Sequence, residues 1–201
     1  MRINTVHCNT TPPQLIILAG PNGAGKSTLA STILPPGVVF VNADDIAKDV
    51  AADTAAARDY AAGRRAVLWF EHLVDERADF AIETTFSGKA LVGRLRAAKH
   101  LGYEVHLTFL CLPSAEAAVS RVRDRVARGG HAIPEDVIRR RYVSGIRQFV
   151  SAGSEICTTW RVYDNGEPEG LRLVAKMDRD GTVIVADSLT WNEINDTVRA
   201  G

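Results

Sequence analysis

Apolar positions along the chain follow two rhythms. Leu15-Ile16-Ile17-Leu18-Ala19 is a wholly apolar run that stops at glycines, and Val38-Val39-Phe40-Val41 is a second. Asp79 to Thr84 and Glu104 to Leu112 are a third and fourth, and Thr159 to Tyr163 is a fifth, weaker one that stops at Asp164-Asn165-Gly166. Short continuous runs of this kind read as strands buried on both faces of a parallel sheet. Helical periodicity fills the gaps: Ala43 to Asp53, Ala55 to Arg77, Gly88 to Leu101, Ser114 to Arg128 and Pro134 to Ser151, with a further helix expected to start near Lys26. Buried strands alternating with amphipathic helices predict βαβ units, and so an α/β three-layer sandwich around a mainly parallel five-stranded sheet. From about Gly170 the pattern changes. Leu171 to Met177 and Thr182 to Ala186 flank Asp178-Arg179-Asp180-Gly181, a hairpin signal, and Trp191 to Arg199 reads as a terminal helix. The expected organisation is a tail over 1–14 and one domain over 15–201.

Composition narrows the function classes. The 201 residues, 46% apolar and 24% charged, suit one ordinary globular domain. Lys and Arg number 24, against 24 Asp and Glu. The basic excess that drives nucleic-acid binding through bulk charge is missing, so no nucleic-acid partner is expected. No apolar run approaches the ~18 residues of a membrane span, so no membrane partner is expected either. Met1 to Gln14 lacks the charged-then-apolar order of a signal peptide. Cys8, Cys111 and Cys157 form neither a disulfide framework nor a zinc pattern and read as small buried residues. A reducing cytoplasm is the expected setting.

The strongest chemical signal is Gly20-Pro21-Asn22-Gly23-Ala24-Gly25-Lys26-Ser27-Thr28. It matches G-x-x-x-x-G-K-[ST] and lies between a predicted buried strand and a predicted helix. Glycines allow successive backbone N–H groups to turn inward on phosphates, and the helix N-terminus adds a favourable dipole. Lys26 is expected to reach the β- and γ-phosphates and the Ser27 hydroxyl to ligate Mg²⁺, so ATP and Mg²⁺ are the expected cofactors. The motif alone serves many chemistries. No Leu-Ser-Gly-Gly-Gln-like signature and no Asn-Lys-x-Asp accompany it, and no strand ends in a tandem acidic pair unless Val38 to Val41 leading into Asp44-Asp45 is counted. Small-molecule and nucleotide kinases remain, with a P-loop kinase-like fold.

A kinase of that kind needs a carboxylate at the carboxyl edge of the sheet to accept the proton of the acceptor hydroxyl. Asp44, after the second strand, is the candidate; Asp44 or Asp45 acting only as a helix cap is the alternative. Glu83-Thr84-Thr85-Phe86-Ser87-Gly88 ends the third strand with hydroxyls, a carboxylate and an aromatic ring that suit acceptor binding, or else caps the next helix. Arg121, Arg125 and Arg128 share one helix stripe beside Ala118, Val122 and Val126. A Gly129-Gly130-His131 bend and a helix bearing Arg139-Arg140-Arg141 follow. Two arginine-bearing helices around such a bend suit a lid over transferring phosphate, or form a solvated face. Arg141 falls near the stripe of Ile138, Tyr142 and Phe149, while Arg140 points away and reads as a surface residue. Asn165 reads either as an adenine-holding amide or as part of a plain Asx turn. His7, His72, His100 and His106 show no ligand spacing, which leaves His131 as the histidine of interest. From Arg121 to Arg141 positive charges exceed negative ones by four, which suits an anionic nucleotide.

Five motifs carry a resemblance: Gly20 to Thr28, Val41-Asn-Ala-Asp-Asp45, Glu83 to Gly88, Arg125-Val-Ala-Arg-Gly-Gly-His-Ala-Ile-Pro-Glu135 and Ile138-Arg-Arg-Arg-Tyr142. In order and spacing they resemble the small zeta-toxin-like kinases over roughly Leu15 to Asn165. The resemblance implies transfer of the ATP γ-phosphoryl group to a hydroxyl. In the best-known zeta toxins the acceptor is UDP-N-acetylglucosamine, and an antitoxin protein blocks the ATP site. Carried over by motif, Lys26 and Ser27 bind phosphate and Mg²⁺, Asp44 is the base, Glu83, Thr84 and Thr85 meet the acceptor, and Arg121 and Arg125 clamp phosphate. The large zeta toxins have an arginine near the lid bend where this chain has Gly130-His131, so Arg128 and His131 are both candidates for the second lid cation. Other acceptors, an antibiotic, NAD or another metabolite, stay open, as does a regulatory module in which ATP binding orders the lid without catalysis.

Overall fold

Residues apolar on both faces are driven to the middle of the molecule, and the five apolar runs form adjacent strands of one sheet, the second of them at its edge. The computed structural model describes residues 11–167 and 170–199; most of the 1–14 tail, with His7 and Cys8, lies outside the described residues. The chain runs β1 (Gln14–Ala19), α1 (Lys26–Ile33), β2 (Val39–Val41), α2 (Ala43–Lys48), α3 (Ala55–Asp75), β3 (Phe80–Thr84) and α4 (Lys89–His100). It continues with β4 (Glu104–Cys111), α5 (Ala115–Ala127), α6 (Glu135–Ile156), β5 (Thr159–Asp164), β6 (Arg172–Met177), β7 (Val183–Val185) and α7 (Ser188–Arg199).

The sheet order is β2-β3-β1-β4-β5-β6-β7, and the first five strands are parallel. The expected five-stranded sheet is therefore seven-stranded. β6 pairs antiparallel with β5, and β7 with β6. An uncovered β5 edge would leave a row of unpaired N–H and C=O groups. The C-terminal hairpin removes that edge by extending the sheet, with a register irregularity between Val162 and Tyr163.

Alternate residues of β4 divide the core. Leu107, Phe109 and Cys111 join the larger cluster with Phe70 and Leu73 of α3, Leu95 of α4, and Ile146 and Phe149 of α6. Leu110 and Leu112 join Ala118, Val119 and Val122 of α5 on the other face. Helices thus cover both faces. Burial pushes the Cys111 and Cys157 thiols up to about 12, so neither is poised to react. Among the described residues no helix is long and apolar enough to cross a membrane.

The first crossover carries the chain from β1 to the far edge at β2, and later strands fill in on both sides of β1. Loops therefore diverge at the carboxyl end of β1, where open α/β sheets bind ligands.

Candidate active site

The turn after β1 is closely packed. Gly20 has a φ of 138°, and a Cβ there would collide with the Leu110 carbonyl. Glycine is the residue that lets this backbone pass β4. Gly25, also at positive φ, precedes α1, whose first residue is the buried Lys26. The Lys26 ammonium donates to the Pro21 carbonyl at 3.0 Å and lies 3.7 Å from Glu83 Oε1. Burial pulls its pKa below the ordinary value, and the nearby Glu83 and Asp44 carboxylates oppose that shift.

Parallel pairing sets Glu83 of β3 beside Leu18 of β1. Glu83 Oε2 accepts from the Ser27 hydroxyl at 2.8 Å and from Asn42 Nδ2 at 3.1 Å. Asn42 uses both ends of its amide, because its Oδ1 accepts the Asp44 N–H at 2.9 Å and so caps α2. The capping role open to Asp44 and Asp45 thus belongs to Asn42. Asp45 pairs with Lys48 on the surface at 2.6 Å. The Asp44 carboxylate makes no side-chain hydrogen bond or ion pair among the described residues, and it borders two cavities.

One cavity, of about 510 Å³, is lined by the P-loop from Asn22 to Thr28, by Asp44 and Glu83, and by Arg121, Asp124, Arg125 and Arg128 of α5 and its C-terminus. All three arginines of the predicted stripe thus face the P-loop. Arg121 Nη2 donates to the Gly166 carbonyl at 3.1 Å and Arg125 Nη2 to the His131 carbonyl at 3.0 Å. Among the described residues two buried polar atoms have no partner: Arg125 Nε, and Oδ1 of Asn22, which borders both cavities. An unpaired buried polar atom is costly, and the Arg125 Nε–H, a donor beside a glycine-shaped cradle, fits a phosphate-rich ligand, whereas Asn22 Oδ1 is an acceptor and calls for a donor or a cation. The donor set also fits Mg²⁺, a hard cation that takes oxygen ligands: the Ser27 hydroxyl, Glu83 and Asp44 share this cavity.

The second cavity, of about 470 Å³, is lined by Asp44, Glu83, Thr84 and Thr85, by Asp59 and Gly63 of α3, and by His131, Arg140 and Arg141. Arg140, read as a surface residue, lines this cavity beside Arg141, because the first turns of α6 border it along Val137, Arg140 and Arg141. Neither guanidinium has a partner among the described residues. Arg123 and Arg139 are different, since both pair with Glu135 on the surface. His131 Nε2 lies 3.3 Å from Asp59 Oδ2, tying the bend between α5 and α6 to α3.

Thr84 and Thr85 are held by a local device. Phe86 has a φ of 58° with its ring buried, its N–H donates to Thr84 Oγ1 at 2.9 Å, and the Thr85 and Ser87 hydroxyls meet at 2.9 Å. A non-glycine residue in this region is strained and persists when its surroundings over-determine it. Asn165 lies under the P-loop: its Nδ2 donates to the Ala24 carbonyl at 2.9 Å, so the amide proposed for adenine is already engaged.

Sequence reasoning missed Asn42, Asp59 and Gly63. Asn42 had a readable signal, a capping residue one step from a strand end. Asp59 and Gly63 had none, because they lie on a helix distant in sequence from every motif.

An uncharacterised protein of Haemophilus influenzae is 34% identical over 127 residues, which is 63% of this chain and 91% of that protein. Among solved structures, AvrRxo1-ORF1:-ORF2 with ATP superposes with a TM-score of 0.75 at 18% identity over 92% of this chain; the chain spans only 64% of that one. A structure of the PezAT chromosomal toxin-antitoxin system of Streptococcus pneumoniae gives a TM-score of 0.61 at 16% identity, over 95% of this chain and 86% of that one. At such identities the likeness is one of fold, an α/β P-loop kinase-like fold. The AAA_33 family, an AAA domain, matches residues 15–142, the span from β1 into α6 that builds both cavities, and the chain belongs to that family.

Proposed function

We propose that the protein is an ATP-dependent phosphotransferase of zeta-toxin type, moving the γ-phosphoryl group to a hydroxyl of an anionic small molecule, with a UDP-linked amino sugar first among acceptors. The observation that carries this reading is the position of Asp44: a carboxylate free of side-chain partners at the boundary between a phosphate-shaped cavity and a second cavity of ligand size.

The acceptor hydroxyl lies against Asp44, which takes its proton as the new O–P bond forms and the bond from the γ-phosphorus to the bridging oxygen of ADP breaks. The transition state spreads charge over three phosphoryl oxygens, so catalysis rests on positioning and charge stabilisation. Lys26, Arg121 and Arg125 meet that charge from opposite sides of the cavity, and Arg128, bordering the same cavity, is a better second lid cation than His131. Ser27 with Glu83 would hold Mg²⁺, which when bound would supply further neutralisation of the phosphate charge. Thr84 and Thr85 orient the acceptor. The unpaired Arg140 and Arg141 favour an acceptor that carries phosphate or carboxylate. A cytoplasmic setting supplies both ATP and nucleotide sugars, and likeness in fold to a toxin-antitoxin structure supports a search for a protein partner that covers the nucleotide site.

Incubation with γ-labelled ATP and UDP-N-acetylglucosamine should yield a phosphorylated nucleotide sugar. Asp44→Asn should lower turnover by about 10²-fold or more while ATP binding persists. Release of phosphate to water alone would reject the reading, and an unaffected Asp44→Asn would favour a regulatory module.

A further inference from the structure

The acceptor cavity does not end at α3. A groove of about 510 Å³ runs along the outer surface of that helix toward Arg94 of α4, and Asp59 and Gly63 border both spaces. Four residues apart, they stand on one face of the helix, one turn above the other. Gly63 is the low point between them. A Cβ built there would meet no heavy atom within 4 Å, so packing does not demand a glycine. Glycine inside a helix is unfavourable relative to alanine, so the structure keeps a destabilising residue that relieves no clash. Its effect is to leave the passage open.

Beyond the passage, residues 60, 64 and 68 form one stripe. Tyr60 is 70% exposed and Leu68 is 61% exposed, and Arg64 between them makes no ion pair among the described residues. An aromatic face, an apolar side chain and a free guanidinium, contiguous with a candidate site, are the composition of a recognition surface. They suit a flat ring stacked on Tyr60 and an anionic group on Arg64. On the near side of the passage Arg140 and Arg141 offer the same charge to the same ligand.

We infer that the acceptor is elongated and crosses α3 at Gly63, its distal ring lying on Tyr60 and its anionic linker reaching Arg64. The assignment rests on the phosphotransferase reading for the chemistry at Asp44, and it adds a recognition subsite that the P-loop and the lid do not supply.

The test compares long with short acceptors: UDP-N-acetylglucosamine against N-acetylglucosamine 1-phosphate, and NAD against nicotinamide mononucleotide, each with ATP. Wild type should have a lower KM for the long member of whichever pair it phosphorylates. Gly63→Leu places a helix-favouring side chain in the passage and should raise the KM of the long acceptor about tenfold or more, well beyond any rise for the short one, with the KM of ATP unchanged and the Tm not lowered. Tyr60→Ala should act in the same direction on the long acceptor alone. Unchanged values for the long acceptor in both variants, or an equal rise for long and short, would overturn the subsite while the kinase reading stands. No turnover of any acceptor would remove the kinase reading, and the subsite with it.

Discussion

Gly145→Ala is a one-methyl change that tests how the acceptor loop is held. Gly145 is buried in α6, and a Cβ there would lie 2.5 Å from the Thr85 carbonyl oxygen. Ordinary contacts begin at 3.4 Å, so helix and loop must separate by roughly 0.9 Å. Neither side yields freely. Thr85 is followed by Phe86, whose ring is buried and whose backbone is left-handed, and α6 is fastened by Phe149 stacked on Phe109 at 5.0 Å. Alanine gains about 1 kcal/mol in helix propensity, whereas overpacking costs about 1–3 kcal/mol, for a net loss of up to about 2 kcal/mol. In a chain of this size that is a Tm decrease of a few degrees. The larger effect falls on chemistry, since displacing a substrate-positioning group by ~1 Å costs up to about 10²-fold. Steady-state kinetics should show kcat/KM for the acceptor lowered by about 10- to 100-fold. The KM of ATP should hold, because the P-loop leans on Leu110 and Asn165 and not on Thr85. Full activity with a raised Tm would refute the reasoning, since helix propensity would then act alone.

Two further outcomes are expected. Asn165→Ala removes the amide that donates to the Ala24 carbonyl and should cost about 1 kcal/mol of stability and raise the KM of ATP several-fold, with the preference for ATP over GTP unchanged; a change in that preference would assign Asn165 to the base instead. Glu104 accepts from Arg179, in the turn between β6 and β7, and from Gln14, which holds its carboxyl at about 2 against an ordinary 4.5. A depressed pKa contributes stability above pH 4.5 that is lost as pH falls through about 2. Glu104→Gln should therefore lower the Tm at neutral pH, by about 1 kcal/mol in stability terms, with the gap to wild type closing below pH 4.5. A gap independent of pH would show that packing, not charge, ties the turn to β4.

Local patterns by themselves determined the five parallel strands, the P-loop and the placing of Asp44 at a strand end. Each is a short-range code: uninterrupted apolar runs cannot stay in water, and glycines at fixed offsets permit one kind of turn. The arginine stripe of α5 was legible for the same reason, since 3.6-residue periodicity sets which side chains share a face. What lies opposite each face was not legible. Arg140 leaves the apolar stripe of α6 as its angle requires and is exposed, yet it also borders a cavity, because α3 and the loop after β3 stand across from it. Glu83 was expected at the acceptor, and parallel pairing with β1 also brings it onto Ser27 and Lys26. Asn165, open in sequence to an adenine-holding role or a plain Asx turn, has an amide that braces the P-loop from 141 residues away in sequence. The hairpin strands became part of the sheet because an open β5 edge needs partners. Tertiary structure alone decided these points. Periodicity encodes the direction of a side chain relative to its own backbone, and only the packing of distant elements determines what that side chain meets.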